Sequence, residues 1–174
     1  MLKVLYIHGL DSSPNSERMN FLQELGHTVF ALHIDYRNEP KTLELLSAEI
    51  EENGINYIVG SSLGGYLGFW LSEKYDLPAL LFNPAMEKGE AEVKLGSKTT
   101  RTYSPKWIVI GDLDDTVEPD TSWKMLSSMS NSDTWLRMIR CQWLGHQIDI
   151  QTYRDSCFFA GLHLNSTHDS QGKV

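Results

Sequence analysis

The residues with the clearest chemical potential are Gly60-Ser61-Ser62-Leu63-Gly64. They follow the apolar run Ile55-Asn56-Tyr57-Ile58-Val59 and precede Tyr66-Leu67-Gly68-Phe69-Trp70-Leu71, which reads as a helix. Strand, then Gly-x-Ser-x-Gly, then helix is the setting in which this pattern forms a nucleophile elbow. So sharp a turn has no room for side chains at its flanks, hence Gly60 and Gly64. It holds the central serine in a strained conformation with its hydroxyl above the sheet. The helix that begins there points its free N–H groups and positive dipole end at whatever the serine attacks. Ser62 is then a candidate nucleophile. On residue frequencies alone the three fixed positions recur in roughly one chain of this length in twenty. A Gly/Ser turn that binds an anion has the same spelling, so the reading depends on partners for Ser62.

A serine hydroxyl attacks only when a base takes its proton, and the base needs an acid to orient it. In a sheet of this kind the chain order is Ser, then Asp or Glu, then His. The first acidic cluster that follows a strand after Ser62 is Gly111-Asp112-Leu113-Asp114-Asp115-Thr116-Val117, behind Ile108-Val109-Ile110. The spacing favours Asp114, whose carboxylate turns inward while Val117 anchors the returning chain; Asp112 is the alternative. A divalent-metal loop is the competing reading, but no second cluster of ligands accompanies it. Three histidines follow Asp114: His146, His163 and His168. The last two lie in the polar tail or at its edge. His146 follows an apolar strand and Gly145, where the general base must stand. An oxyanion hole needs two backbone donors. The N–H of Leu63, next to the nucleophile, is one, and the N–H of Leu10 in Gly9-Leu10-Asp11-Ser12-Ser13 is the candidate for the other. His8 precedes Ser62 in the chain and reads as a structural hydrogen-bonding residue.

The elements that must position these groups alternate along the chain. Strands are expected over 2–8, 28–34, 55–59, 77–82, 106–110 and 134–143. Helices are expected over 15–25, 41–53, from Ser62 to about Tyr75, 119–129 and 148–159. Glycines at 26 and 54 stand where helices stop, and Pro119 stands in a first turn. Repeated strand–helix–strand units imply a parallel sheet covered on both faces, and right-handed crossovers limit it to a doubly wound sheet. The expected order is 2-1-3-4-5-6. Functional groups in such a sheet gather at the carboxyl ends of the strands, where His8, Ser62, Asp112, Asp114 and His146 all fall.

The 174 residues suit one domain, read as 1–160 followed by a polar tail, 161–174. Hydrophobic residues are 41% of the chain, enough for a core. A net charge of -8 argues against nucleic acid or an anionic membrane as partner, since both select basic surfaces. Cys141 and Cys157 alone build neither a disulfide framework nor a zinc site, and read as reduced thiols. The N-terminus lacks the long apolar core and cleavage site of a signal peptide, and no apolar stretch is as long as a membrane span. A cytoplasmic protein is expected.

Tyr6-Ile7-His8-Gly9-Leu10-Asp11-Ser12-Ser13-Pro14, Gly60-Ser61-Ser62-Leu63-Gly64-Gly65-Tyr66-Leu67, Phe82-Asn83-Pro84-Ala85, the loop 111–117 and Gly145-His146 together resemble the small YqiA-type esterases of the α/β-hydrolase superfamily. The resemblance covers about residues 1–160 in matching order. It implies a minimal α/β-hydrolase fold without a lid domain, and a cytoplasmic esterase for short acyl esters with Ser62, Asp114 and His146 as its triad. It implies no cofactor and no metal. The chain departs from the family in the short Trp143-Leu144-Gly145-His146 approach to the histidine.

Segment 87–104, where this superfamily inserts its caps, is too short for a lid, so an open, shallow site for a small acyl ester is expected. Tyr36 and Arg37, after the second strand, are candidates for the pocket edge, with a surface role for Arg37 an equal alternative, and Asn83 is expected to shape a turn. A thioesterase or amidase would use the same triad. A non-catalytic binding protein on the same fold is a further alternative. A Rossmann-type nucleotide binder would need Gly-x-Gly-x-x-Gly after the first strand, and 8–14 contains one glycine.

Overall fold

The computed structural model describes residues 1–88, 104–129 and 135–163. Six strands form one parallel sheet: β1 (Lys3–Ile7), β2 (Thr28–Phe30), β3 (Tyr57–Ser61), β4 (Ala79–Phe82), β5 (Lys106–Leu113) and β6 (Leu136–Gly145). Their order is β2-β1-β3-β4-β5-β6 and every pairing is parallel, as the alternating pattern predicts. Among the described residues five α-helices intervene: α1 (Ser16–Glu24), α2 (Thr42–Asn53), α3 (Leu63–Tyr75), α4 (Pro119–Met129) and α5 (Ile150–Phe159). A short 3-10 turn, Met86–Lys88, follows β4.

The strands are apolar on both sides because helices cover both sides. Leu5, Ile7, Ile58, Leu81, Ile108 and Ile110 pack with residues of α2, α3 and α4, including Leu46, Phe69 and Leu126. The alternate residues Val4, Tyr6, Val59, Leu80, Phe82 and Val109 pack with α1 and α5 through Leu22, Tyr153 and Cys157. Side chains alternate across a strand, so one run of residues feeds both cores.

Local chemistry sets the helix ends. The Asn15 side chain accepts from the Arg18 N–H and caps α1, and Asp149 accepts from the Thr152 N–H and caps α5. Gly54 closes α2 in the left-handed region, with φ 62°.

Several elements differ from expectation at their ends. β2 stops at Phe30 rather than running to residue 34, because the Ile34 N–H leaves the ladder and donates to His8 Nε2. β3 runs on to Ser61, through the first glycine of the elbow. β5 and β6 extend to Leu113 and Gly145 because their pairing continues past a bulge between Gly111 and Leu113. The expected short connection over 87–104 falls mostly outside the described residues, as does the tail beyond residue 163. Among the described residues no helix is long and apolar enough to cross a membrane.

Candidate active site

Sheet register brings the three chemically interesting strand ends together. Ile7 of β1 lies opposite Gly60 of β3, and Ser61 lies opposite Phe82 of β4. The elbow therefore emerges between the ends of β1 and β4. Leu113 of β5 lies opposite Gly145 of β6, so the next residue of each strand, Asp114 and His146, leave the sheet side by side.

Ser62 has φ 56° and ψ −120°, a conformation that an L-residue holds only when its surroundings impose it. The surroundings here are backbone. The Ser62 N–H donates to the Phe82 carbonyl (2.9 Å), and its own carbonyl accepts from Tyr66 (3.0 Å) and Ala85 (3.2 Å). A Cβ on Gly60 would strike the Gly64 carbonyl, and one on Gly64 would strike the carbonyls of Ile7 and His8. The two glycines are required by close approach, as the motif predicts. Ser62 itself caps α3, whose first residue is Leu63. Among the described residues no backbone carbonyl accepts from the Leu63 or Leu10 N–H, which leaves both donors open.

His146 and Asp114 face each other. His146 Nδ1 lies 2.9 Å from Asp114 Oδ2 and 3.0 Å from Oδ1. Asp114 Oδ1 also accepts from the N–H groups of Thr116 and Val117, both at 2.8 Å. The carboxylate side chain is only 1% exposed, against 18% for His146. It is thus a fixed acceptor aimed at one ring nitrogen. A carboxylate only accepts, so Nδ1–H donates to it, and among the described residues no partner bonds Nε2. Asp112, the alternative acid, points elsewhere: Arg140 Nε donates to it at 2.5 Å, and Arg140 also bonds Asp120.

Ser62 and His146 line one open cleft of about 110 Å3 together with His8, Gly9 and Leu10. The loop after β1 lies directly against the nucleophile candidate; a Cβ on Gly9 would sit 3.2 Å from that of Ser62. Four of the five expected site residues, Ser62, His146, Leu10 and Asp114, thus gather around this cleft or directly behind it. Leu63 follows Ser62 at the head of α3.

His8 is 2% exposed and fully engaged. Its Nδ1–H donates to the Gly9 carbonyl (2.8 Å), and Nε2 accepts from the Ile34 N–H (3.1 Å). Burial, opposed in part by the bond to Gly9, holds this ring below the ordinary histidine value of 6.5.

Tyr36 and Arg37 do not line the cleft. The Tyr36 hydroxyl donates to the His8 carbonyl (2.7 Å), and Arg37 makes a two-point pair with Asp11 on the surface. Both side chains are taken up by the loop after β1.

Sequence reasoning gave Asn83 only a turn. The turn is there, with φ 42°, but the side chain does more. Its Oδ1 accepts from the Gly111 N–H (2.8 Å), and its Nδ2 donates to the carbonyls of Gly145 (2.9 Å) and His146 (3.4 Å). This buried amide ties the end of β4 to the ends of β5 and β6, and so fixes the loops that carry Asp114 and His146. An Asn directly after a strand end was the available signal, since Asn tolerates left-handed φ better than most residues.

The fold has many structural counterparts. A monoacylglycerol lipase from Paleococcus ferrophilus superposes with a TM-score of 0.67 at 12% identity, covering 95% of each chain. Alpha/beta hydrolase domain-containing protein 10 from mouse gives 0.67 at 13% identity, over 92% of this chain and 88% of that one. SOBER1 from Arabidopsis thaliana gives 0.68 at 15% identity, over 95% and 98%. At these identities the likeness is one of fold, the α/β-hydrolase fold. The sequence profile described as Uncharacterised protein family (UPF0227) matches residues 3–116, which include the loop after β1, the elbow and Asp114. With the profile spanning well over half of its length, this chain belongs to the UPF0227 family, the YqiA group whose motifs it carries.

Proposed function

We propose that this protein is a serine hydrolase that cleaves small carboxylic esters through an acyl-enzyme on Ser62. One observation carries the proposal. A serine forced to φ 56° at the head of a helix shares an open cleft with a histidine whose far nitrogen is held by a buried carboxylate. That is the constellation acyl transfer needs.

His146 Nε2 takes the Ser62 proton as Oγ attacks the ester carbonyl. Asp114, held by two backbone N–H groups, keeps the ring in the tautomer that can accept and stabilises the imidazolium. The Leu63 and Leu10 N–H groups receive the oxyanion, a contribution of about 3 kcal/mol per donor in comparable sites. The tetrahedral species collapses, and the alcohol leaves with the proton from His146. Water, deprotonated by the same ring, then releases the acid and restores Ser62. No cofactor enters. Cysteine does not compete as nucleophile: burial pushes the Cys157 thiol up to about 12 and raises that of Cys141.

The substrate is read as a small molecule because the cleft is small and largely polar. The monoacylglycerol lipase of the same fold supports an ester over an amide. The partner is that small molecule rather than nucleic acid or a membrane, in keeping with the net charge of -8. Two free thiols suit the reducing cytoplasm.

The test is hydrolysis of p-nitrophenyl esters from acetate to palmitate by the wild type and Ser62→Ala, with fluorophosphonate labelling of both. Activity that peaks at short acyl chains and vanishes with the label in Ser62→Ala is expected. Labelling that persists in Ser62→Ala removes Ser62 from its role. Turnover of thioesters or amides with none of esters reassigns the bond that is cut.

A further inference from the structure

The chain carries 23 acidic and 15 basic residues, yet its candidate active-site cleft inverts that balance. None of the described residues that line it is Asp or Glu, and its one arginine or lysine is Arg18, on the first turn of α1. No step of the proposed acyl transfer uses this side chain.

Arg18 is placed by contacts that leave its charge unneutralised. Nη2 donates to the Ile148 carbonyl at 2.5 Å, Nη1 lies 3.5 Å from the Tyr6 hydroxyl, and the guanidinium sits 5.6 Å over the Tyr153 ring. All three are neutral acceptors or faces, and no ion pair to a described carboxylate accompanies them. Elsewhere in the molecule the arginines that pair do so with acids: Arg37 with Asp11, and Arg140 with Asp112 and Asp120. The Tyr6 and Tyr153 rings and the Ile148 carbonyl hold the Arg18 fork in one orientation. Part of the conformational entropy of binding is therefore removed in advance. A planar guanidinium with N–H groups to spare matches a carboxylate at two points.

We propose that Arg18 binds a carboxylate on the substrate, so that the hydrolase favours small esters that bear a free acid group in their acyl or alcohol part. The inference rests on the serine-hydrolase reading of the same cleft. A carboxylate fits better than a phosphate monoester, which carries close to two negative charges at neutral pH and would meet a single cation here.

Two matched pairs of esters test this. Mono-p-nitrophenyl adipate and p-nitrophenyl hexanoate differ by a charge on the acyl group. Para-acetoxybenzoate and its methyl ester differ by a charge on the alcohol part. In at least one pair, Arg18→Gln is expected to lower kcat/KM for the anionic member by roughly tenfold more than for the neutral one, mainly through KM. Arg18→Lys should recover part of that difference. Taking the ratio within each pair cancels the intrinsic reactivity of the esters. Unchanged ratios in both pairs overturn the proposal. So does an equal loss of both members with a lowered Tm, which would assign Arg18 to holding the Ile148 loop. A readout independent of turnover is calorimetric titration of Ser62→Ala with the half-ester of adipic acid. Binding that disappears in Ser62→Ala/Arg18→Gln upholds the anion contact even if no ester is hydrolysed. Equal binding by both proteins overturns it while leaving the Ser62 reading to its own label. Stronger competition by inorganic phosphate than by adipate would overturn the carboxylate assignment.

Discussion

The ends of β1 and β6 each deliver a histidine into the same cleft, and the two rings are bonded in opposite ways. His8, at the end of β1, gives its Nδ1 proton to one backbone carbonyl and takes a backbone proton on Nε2. Both nitrogens are occupied, the ring is buried, and it joins the loops after β1 and β2. His146, at the end of β6, is bonded through Nδ1 to a buried carboxylate. In the proposed mechanism the ring that moves a proton is the one whose second nitrogen has no partner among the described residues and whose first is fixed by a charge. Histidine itself is the same in both places; the partners decide its work.

The largest expected effects come from breaking the His146 end. His146→Ala should lower kcat/KM for a short p-nitrophenyl ester on the order of 10⁴-fold or more, with little change in Tm. Asp114→Asn removes the charge and favours the wrong tautomer, for a loss of about 10³–10⁴-fold. Asp112→Asn, whose side chain faces Arg140, should leave turnover where it was. If Asp112→Asn proved the more damaging of the two in ester assays, the acid assignment would be reversed.

The next effect in size comes from the amide that spans the two regions. Asn83→Ala should lower Tm, because it leaves the buried Gly111 N–H without its acceptor at about 1–3 kcal/mol. It also places Ala at a left-handed φ, at about 1 kcal/mol more. Activity should fall by roughly ten- to a hundredfold in protein that remains folded, because the loops carrying Asp114 and His146 lose their tether. A Tm loss with full kcat would confine Asn83 to stability.

These two regions also separate what can be read from a sequence. Ser62, Asp114 and His146 could be singled out as candidates because each follows the end of an expected strand, and chain order restricted the choices to a few residues. The strand order followed from alternation and crossover handedness. Asp114 could be preferred over Asp112 on spacing, but what brings it beside His146 is the register Leu113 to Gly145, which depends on a bulge no local pattern announces. Asn83 and Arg18 act across the fold, one bonding residues 28 and 62 positions away and the other a carbonyl 130 positions away. Local spacing carries no trace of contacts at such separation. Tyr36 lies away from the cleft for the same reason, and Arg37 takes its surface alternative: β2 ends early, and its following residues turn to the loop after β1.

A smaller effect sharpens the contrast through pH. His8 and His27 are both held below 6.5 mainly by burial, so near neutrality each is neutral in the fold. The unfolded chain binds more protons than the folded one as pH drops below 6.5. Stability is therefore full above that value and is lost as pH falls through the folded values. His8→Gln should reduce Tm at pH 7 by breaking one or both backbone bonds, and should flatten the fall in Tm between pH 6.5 and more acid conditions. The acid limb of kcat/KM should survive in His8→Gln if His146 is the base. An acid limb that moves with His8 would transfer the base to the β1 end. Thermal melts and rate profiles across the same buffers check both.

The smallest effect is expected at the surface of the β1 end. Arg37 and Asp11 are bonded at two points, with side chains 62% and 63% exposed. Water competes for both charges, and holding two solvent-exposed side chains together has an entropic cost, so such pairs contribute little. Arg37→Gln should leave Tm and kcat/KM unchanged within error at moderate salt. It should also leave any preference for anionic esters intact, which Arg18→Gln should not. The two arginines carry the same charge and flank the same loop, so this pair of variants separates placement from charge. Arg18 presents its cation inside the cleft without an acid partner among the described residues, whereas the Arg37 charge is neutralised outside it. Loss of anion preference in Arg37→Gln would mean that the field of the whole loop, rather than one fixed guanidinium, selects the substrate.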